Sequence, residues 1–378
     1  MTDQAREILA AIGQFAAQQI APMAQHWSKG QAPEPDLFRR AAELGLFRLD
    51  VAQSAGGLGL GFAVKARACQ AMAAADFGFA MSLVNTHNVA ARIVASASPQ
   101  VQAAFLPSLL WGEASACTAL TEPGAGSDVA SLQTRAVRKD GGWLLNGEKA
   151  WIVNARHAAT AIVYAQTEEH GDSSGIAAFL VDLTAQGCRR HASSSDFAQA
   201  SAGTGGFTLL NVHLPDDHLL LPPGTAFGAI MSEINSARAY VAAMCCGMLD
   251  AALRHVSAYG VTRQSFGKPL RAHQAWRLSV ARAETALAGA CALTDSAIDR
   301  IDSGQDAQLD AAFAKIAATE ALGTHMPVLL HAMGAEGLRP QYPMARHLAA
   351  AQIATLVDGS TEMLLERVAR LARAHTET

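Results

Sequence analysis

The chain has 378 residues, half of them hydrophobic and only 16% charged, with a formal net charge of −4 at neutral pH. A chain of this length has material for about two or three domains with sizeable cores, and its charge balance excludes the basic excess of a nucleic-acid binder. The cysteines (Cys69, Cys117, Cys188, Cys245, Cys246, Cys291) show no CxxC spacing and no paired histidines, so neither a metal site nor a disulfide framework is indicated.

Met1 to Ala21 carries Asp3, Arg6 and Glu7 in place of the apolar stretch of a signal peptide. No uncharged apolar run approaches the roughly 18 residues of a membrane span. Scattered thiols fit a reducing compartment, and the expected location is cytoplasmic.

From Gln4 to about Leu110 apolar residues recur at helical spacing, as in Ile8, Ile12, Phe15 and Ile20, then Leu37, Ala41, Leu44 and Phe47. The glycines of the Gln53 to Gly61 stretch miss the GxGxxG spacing and follow helices rather than a strand, so a surface loop is expected there. A strand suggested by Ala114 to Leu120 leads into Thr121-Glu122-Pro123-Gly124-Ala125-Gly126-Ser127-Asp128. Pro123 ends the strand, the glycines permit a bent main chain, and free N–H groups beside the Thr121 and Ser127 hydroxyls suit a partly anionic ligand such as a nucleotide cofactor. An ordinary turn has the same composition.

Short runs of strand formers follow at Thr134 to Val137, Trp143 to Leu145, Ala161 to Ala165, Ile176 to Val181 and Phe207 to Leu214. Asp140-Gly141-Gly142, Asn146-Gly147 and Gly171-Asp172-Ser173-Ser174 separate them as hairpin signals, so an antiparallel sheet is expected. After Pro222-Pro223-Gly224, helical spacing covers Ile230 to Gly260, Gln274 to Ile301, Ala307 to Met333 and Ser360 to Ala374, a packed bundle. The fold class is thus α+β: an N-terminal all-α domain over 1–112, a middle antiparallel β domain over 113–225 and a C-terminal four-helix bundle over 226–378.

Three further segments join the first: Gly147-Glu148-Lys149-Ala150-Trp151-Ile152-Val153-Asn154, Arg263-Gln264-Ser265-Phe266-Gly267-Lys268-Pro269-Leu270 with Gln274, and Asp358-Gly359-Ser360-Thr361-Glu362. Together, in this order and within this three-part organisation, they resemble the acyl-CoA dehydrogenase superfamily over nearly the whole chain. The resemblance implies FAD between sheet and bundle, partly held by a neighbouring subunit of a homotetramer or dimer. It implies flavin and pyrophosphate contacts from Thr118, Leu120, Thr121, Gly126 and Ser127, with Trp151, Ile152 and Val153 along the isoalloxazine. Arg263, Phe266 and Gln274 would meet the pyrophosphate and adenine from the adjoining protomer, with His331, Gly334 and Ala335 at the subunit-crossing contact and Ser360 and Glu362 completing the cofactor set. Ser127, Asn235, Arg238, Asp358 and Gly359 would face an acyl thioester on coenzyme A or an acyl carrier protein, and an electron-transfer flavoprotein would take the electrons.

The chain also departs from its relatives. Where many carry a catalytic Glu it has Asp358, and the alternative acid position on the first long helix is Ala237, so Asp358 is the candidate base. Asp is shorter than Glu by one carbon–carbon bond, roughly 1.5 Å, and it also suits a helix N-cap. Val153 replaces a Thr that can donate to the flavin, and His331-Ala332-Met333-Gly334-Ala335 replaces a Gln and a double Gly. The main expectation is α,β-dehydrogenation of an acyl thioester. A flavin oxidase or monooxygenase acting on a nitroalkane, amine or other non-thioester substrate is the alternative, and a scaffold without turnover is a third reading.

Overall fold

A computed structural model describes residues 1–167, 172–192 and 197–374. Helices α1 (Asp3–Phe15), α2 (Ala21–Trp27), α3 (Pro35–Glu43), α4 (Phe62–Ala75), α5 (Phe77–Ser96) and α6 (Pro99–Leu110) make the N-terminal layer. A single π turn, Ala16–Ile20, joins the first two, and the glycine-rich stretch after α3 is a loop with one short 3-10 turn at Gln53–Ala55.

The sheet comprises β1 (Ala116–Ala119), β2 (Arg135–Lys139), β3 (Gly142–Ile152), β4 (Thr160–Gln166), β5 (Ile176–Asp182), β6 (Cys188–Ala192), β7 (Gly205–Pro215) and β8 (Leu219–Leu221). Its order is β6-β7-β3-β2-β4-β5-β8, with β1 beside β4. The main ladders are antiparallel, while β1 runs parallel to β4 because it enters from α6 and leaves through the long Thr121 to Thr134 connection instead of a hairpin. Burial on both faces explains why β4 and β5 read as unbroken apolar runs.

Asp140-Gly141 turns β2 into β3 as expected. Asn146-Gly147 does not turn: it lies inside β3 at a register shift against β7. A Cβ on Gly147 would come within 2.7 Å of Thr134 Cα, so the glycine is there for close approach of Thr134, and Asn146 Oδ1 accepts from the Asn211 amide across the bulge. Of the third separator, Gly171 lies outside the described residues.

The C-terminal bundle holds α7 (Ala226–Thr262), α8 (Gln274–Asp302), α9 (Gln308–Met333), α10 (Met344–Leu356) and α11 (Thr361–Ala374), with a small hairpin, β9 (Gln264–Ser265) and β10 (Lys268–Pro269), after α7. Helix α10 was not expected from the sequence; Ala349 to Ala351 and Ala354 give it little apolar periodicity. Small side chains dominate the packing of α7, where Ala239, Val241, Ala242, Ala243 and Ala252 are buried.

One core spans the N-terminal helices and the bundle, a second lies between α5, α6 and the sheet, and a third fills the sheet's other face. Helix α5 belongs to the first two and so fixes the sheet against the bundle. Among the described residues no helix is long and apolar enough to cross a membrane.

Candidate active site

The Thr121 to Asp128 segment is built around a buried ion pair. Glu122 and Lys149 meet at 2.8 Å with side-chain exposures of 4% and 0%. The Glu122 carboxylate also accepts from the Gln133 and Thr134 amides and the Thr134 hydroxyl, and Lys149 Nζ donates to the Leu120 carbonyl. Burial opposes both charges, but Lys149 and these donors bring Glu122 below its ordinary pKa, and burial brings Lys149 down to about 8. The pair moors a tight turn in which the Glu122 and Ala125 main chains bond each other, leaving Gly126 and Ser127 exposed beyond it.

Strand β3 is tied to the same turn, since the Ala150 amide donates to the Thr121 carbonyl at 3.1 Å. A second register shift between Lys149 and Ile152 re-aims the chain. Trp151 takes a left-handed φ of +60° and stands 65% exposed, while Ile152 is buried and Val153 half-buried. Asn154, also left-handed and fully buried, donates to the Ser82 and Ala116 carbonyls and accepts from Ser82 Oγ, which locks the strand end to α5 and β1. On the same helix, Asn85 Oδ1 accepts from the Thr118 amide at 2.9 Å. Thr118, Leu120, Thr121, Gly126, Ser127, Trp151, Ile152 and Val153 are therefore brought to one edge of the sheet.

The candidate base forms a second cluster. Asp358 sits between α10 and α11 with φ +55°, followed by Gly359 at +98°. Ser360, not Asp358, caps α11, its Oγ accepting from the Met363 amide, so the capping role is filled without the aspartate. Arg238, buried on α7, donates from Nε to the Asp358 carbonyl at 3.0 Å and from Nη1 to Asn235 Oδ1 at 2.8 Å. Its guanidinium is thus bound to the main chain of the candidate base.

Asp358 is half-buried. Burial raises its pKa, opposed by Lys315 and Arg238. A carboxylate poised above its ordinary range by desolvation is suited to proton abstraction. Tyr240, one turn above Ala237 and itself buried, holds the Asn88 amide through its hydroxyl and also feels the Asp358 charge.

A third cluster lies at the far end of the bundle. Arg263 and Gln274 are exposed, and Phe266 tips the β9–β10 hairpin with φ +47° and 96% exposure. Trp276 Nε1 donates to the Ala332 carbonyl at 3.0 Å, joining the start of α8 to the His331 to Ala335 segment. The left-handed position there is Gly334, which ends α9, whereas Ala335 lies in the following 3-10 turn, so the alanine introduces no strain. These residues are gathered with one another rather than with the sheet-edge cluster.

Lys315, Tyr240, Asn85, Asn88 and the Glu122–Lys149 pair escaped the sequence reading. Their one signal was a polar side chain inside an apolar stretch, which is far commoner than a functional site.

Family models describe the chain end to end: acyl-CoA dehydrogenase N-terminal domain over residues 2–113, middle domain over 117–212 and C-terminal domain over 225–372. It is 30% identical to the mitochondrial short-chain specific acyl-CoA dehydrogenase of Homo sapiens over 351 residues, 92% of this chain and 85% of that protein. It is 27% identical to the mitochondrial isovaleryl-CoA dehydrogenase of Solanum tuberosum over 364 residues, covering 96% and 88%. Among solved structures, butyryl-CoA dehydrogenase from Megasphaera elsdenii superposes with a TM-score of 0.93 at 27% identity over 98% of both chains.

The chain belongs to the acyl-CoA dehydrogenase family, oxidoreductases that act on CH–CH groups with FAD as cofactor. Its residues fit that cofactor. Trp151 and Phe266 are exposed aromatics of the kind on which a flat heterocycle can stack, and Arg263 is an unburied guanidinium of the kind that binds phosphate.

Proposed function

We propose that this chain oxidises an acyl thioester at Cα–Cβ with Asp358 as the base. The carrying observation is the desolvated carboxyl of Asp358, its main chain held by Arg238 on a left-handed turn. As the Cα–H bond breaks, its proton passes to a carboxylate oxygen of Asp358, and the β-hydrogen leaves with its electron pair. Bound FAD supplies the acceptor for that hydride. Asn235, Arg238 and Gly359 would line the thioester side, with Ser127 at the sheet edge, and the shorter aspartate places the reacting carbon nearer the Asp358 main chain than a glutamate would.

The same reading makes Thr118, Leu120, Thr121, Gly126, Ser127, Trp151, Ile152 and Val153 the flavin contacts of one protomer. Arg263, Phe266, Gln274, His331, Gly334 and Ala335 would serve the neighbouring protomer's cofactor in a homotetramer, with Ser360 and Glu362 nearby. The thioester carrier is coenzyme A or an acyl carrier protein, the electron acceptor an electron-transfer flavoprotein, and the site of action the cytoplasm.

The test is anaerobic flavin bleaching across short, branched and long acyl-CoA and acyl-carrier thioesters. At least one should bleach wild-type flavin in a single turnover, and Asp358→Asn should keep FAD yet lose about a hundredfold or more of the rate, the range of general-base catalysis starting at about that figure. Bleaching unchanged in Asp358→Asn would sink the assignment. Oxygen consumption with peroxide release, found only with a non-thioester substrate, would replace it by the oxidase alternative.

A further inference from the structure

Lys315 is a fully buried lysine on α9 with 0% exposure, and it makes no carboxylate ion pair among the described residues. Its ammonium instead donates to two main-chain carbonyls, that of Gly359 and, at 3.3 Å, that of Thr355. The first follows the candidate base directly, and the second belongs to the last turn of α10. From the opposite side, Arg238 Nε binds the carbonyl of Asp358 itself. Two buried cations from different helices therefore hold consecutive carbonyls of one left-handed turn.

We propose that Lys315 is a positioning residue for the base: it clamps the Thr355 and Gly359 carbonyls so that the Asp358 carboxyl is aimed into the site. The inference rests on Asp358 being the base. A buried ammonium is expensive to desolvate, and among the described residues its hydrogen bonds go to this turn alone. The turn needs holding, because a left-handed φ of +55° is uncommon for a residue with a side chain and the side chain has one fewer torsion than glutamate with which to correct its aim.

The charged and titratable groups acting on Lys315 are Asp358 and Glu362 from the turn and α11, with Cys245 and Arg238 from α7. Burial brings Lys315 down to about 8, and Asp358 works against that shift. Lys315 is therefore charged at neutral pH and discharges as pH rises through about 8, where the amine keeps N–H donors but loses the charge that draws the carbonyls and favours the carboxylate.

The FAD-loaded full chain tests this through Lys315→Met and Lys315→Arg. Each would be followed by kcat and KM against pH with the acyl-CoA that bleaches the wild-type flavin fastest, by amide exchange over residues 355–364, and by the infrared carboxylic-acid band assigned with Asp358→Asn. Lys315→Met should lower kcat by about a hundredfold, the effect of roughly 1 Å of misplacement, with KM changed less. It should also raise the acid limb and the infrared titration by about one unit or more and speed exchange in the turn. Lys315→Arg, which cannot discharge, should keep the acid limb and remove any alkaline limb near pH 8.

A Lys315→Met protein with wild-type kcat, acid limb and exchange overturns the proposal. If that variant does not fold, the unsubstituted protein decides: kcat and turn protection, corrected for intrinsic exchange, should both decline through about pH 8, and a flat response overturns it. If no thioester is turned over by wild type, the proposed reaction falls, while exchange and infrared titration still decide the clamp.

Discussion

Neutralising Lys149 should weaken the whole sheet edge that carries the proposed cofactor residues. Its side chain is fully enclosed, its ammonium lies 2.8 Å from Glu122, and that carboxylate is the shared acceptor for the Gln133 amide and both Thr134 donors. Lys149→Met leaves a buried carboxylate without its counter-charge, a loss of about 3–5 kcal/mol. At about 2 °C per kcal/mol for a large chain, the melting temperature falls by roughly 6–10 °C. Glu122→Gln should do similar damage by stranding the ammonium, although its amide oxygen can still accept from Thr134.

The double variant Glu122→Gln/Lys149→Met buries no charge and should be clearly less destabilised than the two singles added together. Denaturant unfolding followed by circular dichroism measures the three differences, and amide exchange over residues 120–134 shows where they act. A Lys149→Met protein within about 1 kcal/mol of wild type would refute the claim that this pair moors the turn.

The Gly359→Ala variant should fold but lose turnover, because its φ of +98° disfavours a side chain and the added Cβ would lie 3.4 Å from Arg238 Nη2; steady-state kinetics with FAD content as the control checks this. Phe266→Ala should leave unfolding unchanged to within about 0.5 kcal/mol, since the ring is 96% exposed. FAD affinity should fall by up to about tenfold through the lost aromatic face, as read by flavin release on dilution. Acid should unfold the protein through Glu122 and Asp50. Burial opposes both carboxylates, but Lys149 and its fellow donors around Glu122, and His87 with Lys65 around Asp50, hold their folded pKa values below ordinary. Their stabilisation is present above the ordinary carboxylate range of 3.8 to 4.5 and is lost as pH falls through the lower folded values. The buried His347, brought down to about 3, adds a loss that begins as pH falls through the ordinary histidine value of 6.5, so the melting temperature should start to decline below about pH 6.5 and fall further below about pH 5.

The helix–sheet–helix order was legible because it depends on periodicity, and the turn after β1 because Pro123, Gly124 and Gly126 carry their backbone preferences locally. Asp140-Gly141 behaved as a turn, yet Asn146-Gly147 became a bulge inside β3, since only the approach of Thr134 from a distant segment decides between the two. Helix α10 was hidden by its alanines, which pack without writing an apolar stripe. The polar framework was least legible: Glu122 meets Lys149 and Lys315 meets Gly359 only after the chain has folded, and no local spacing marks either pair.

Helix α5 connects these separate clusters. Asn85 holds the main chain of Thr118 at the sheet edge, Ser82 and Thr86 hold Asn154 just beyond Val153, and Asn88 holds Tyr240, which faces the Asp358 charge. The four residues span little more than a turn and a half, and at 1.5 Å per residue a rigid helix transmits a shift at one end to the other almost undiminished. On the proposed reading, one buried helix therefore ties the sheet segment assigned to the flavin to the neighbourhood of Asp358, while the bundle cations Arg238 and Lys315 hold only the aspartate's turn. Changes on α5 that preserve its packing but remove these amides should therefore disturb cofactor and base together, whereas changes at Lys315 or Arg238 should disturb the base and leave FAD in place.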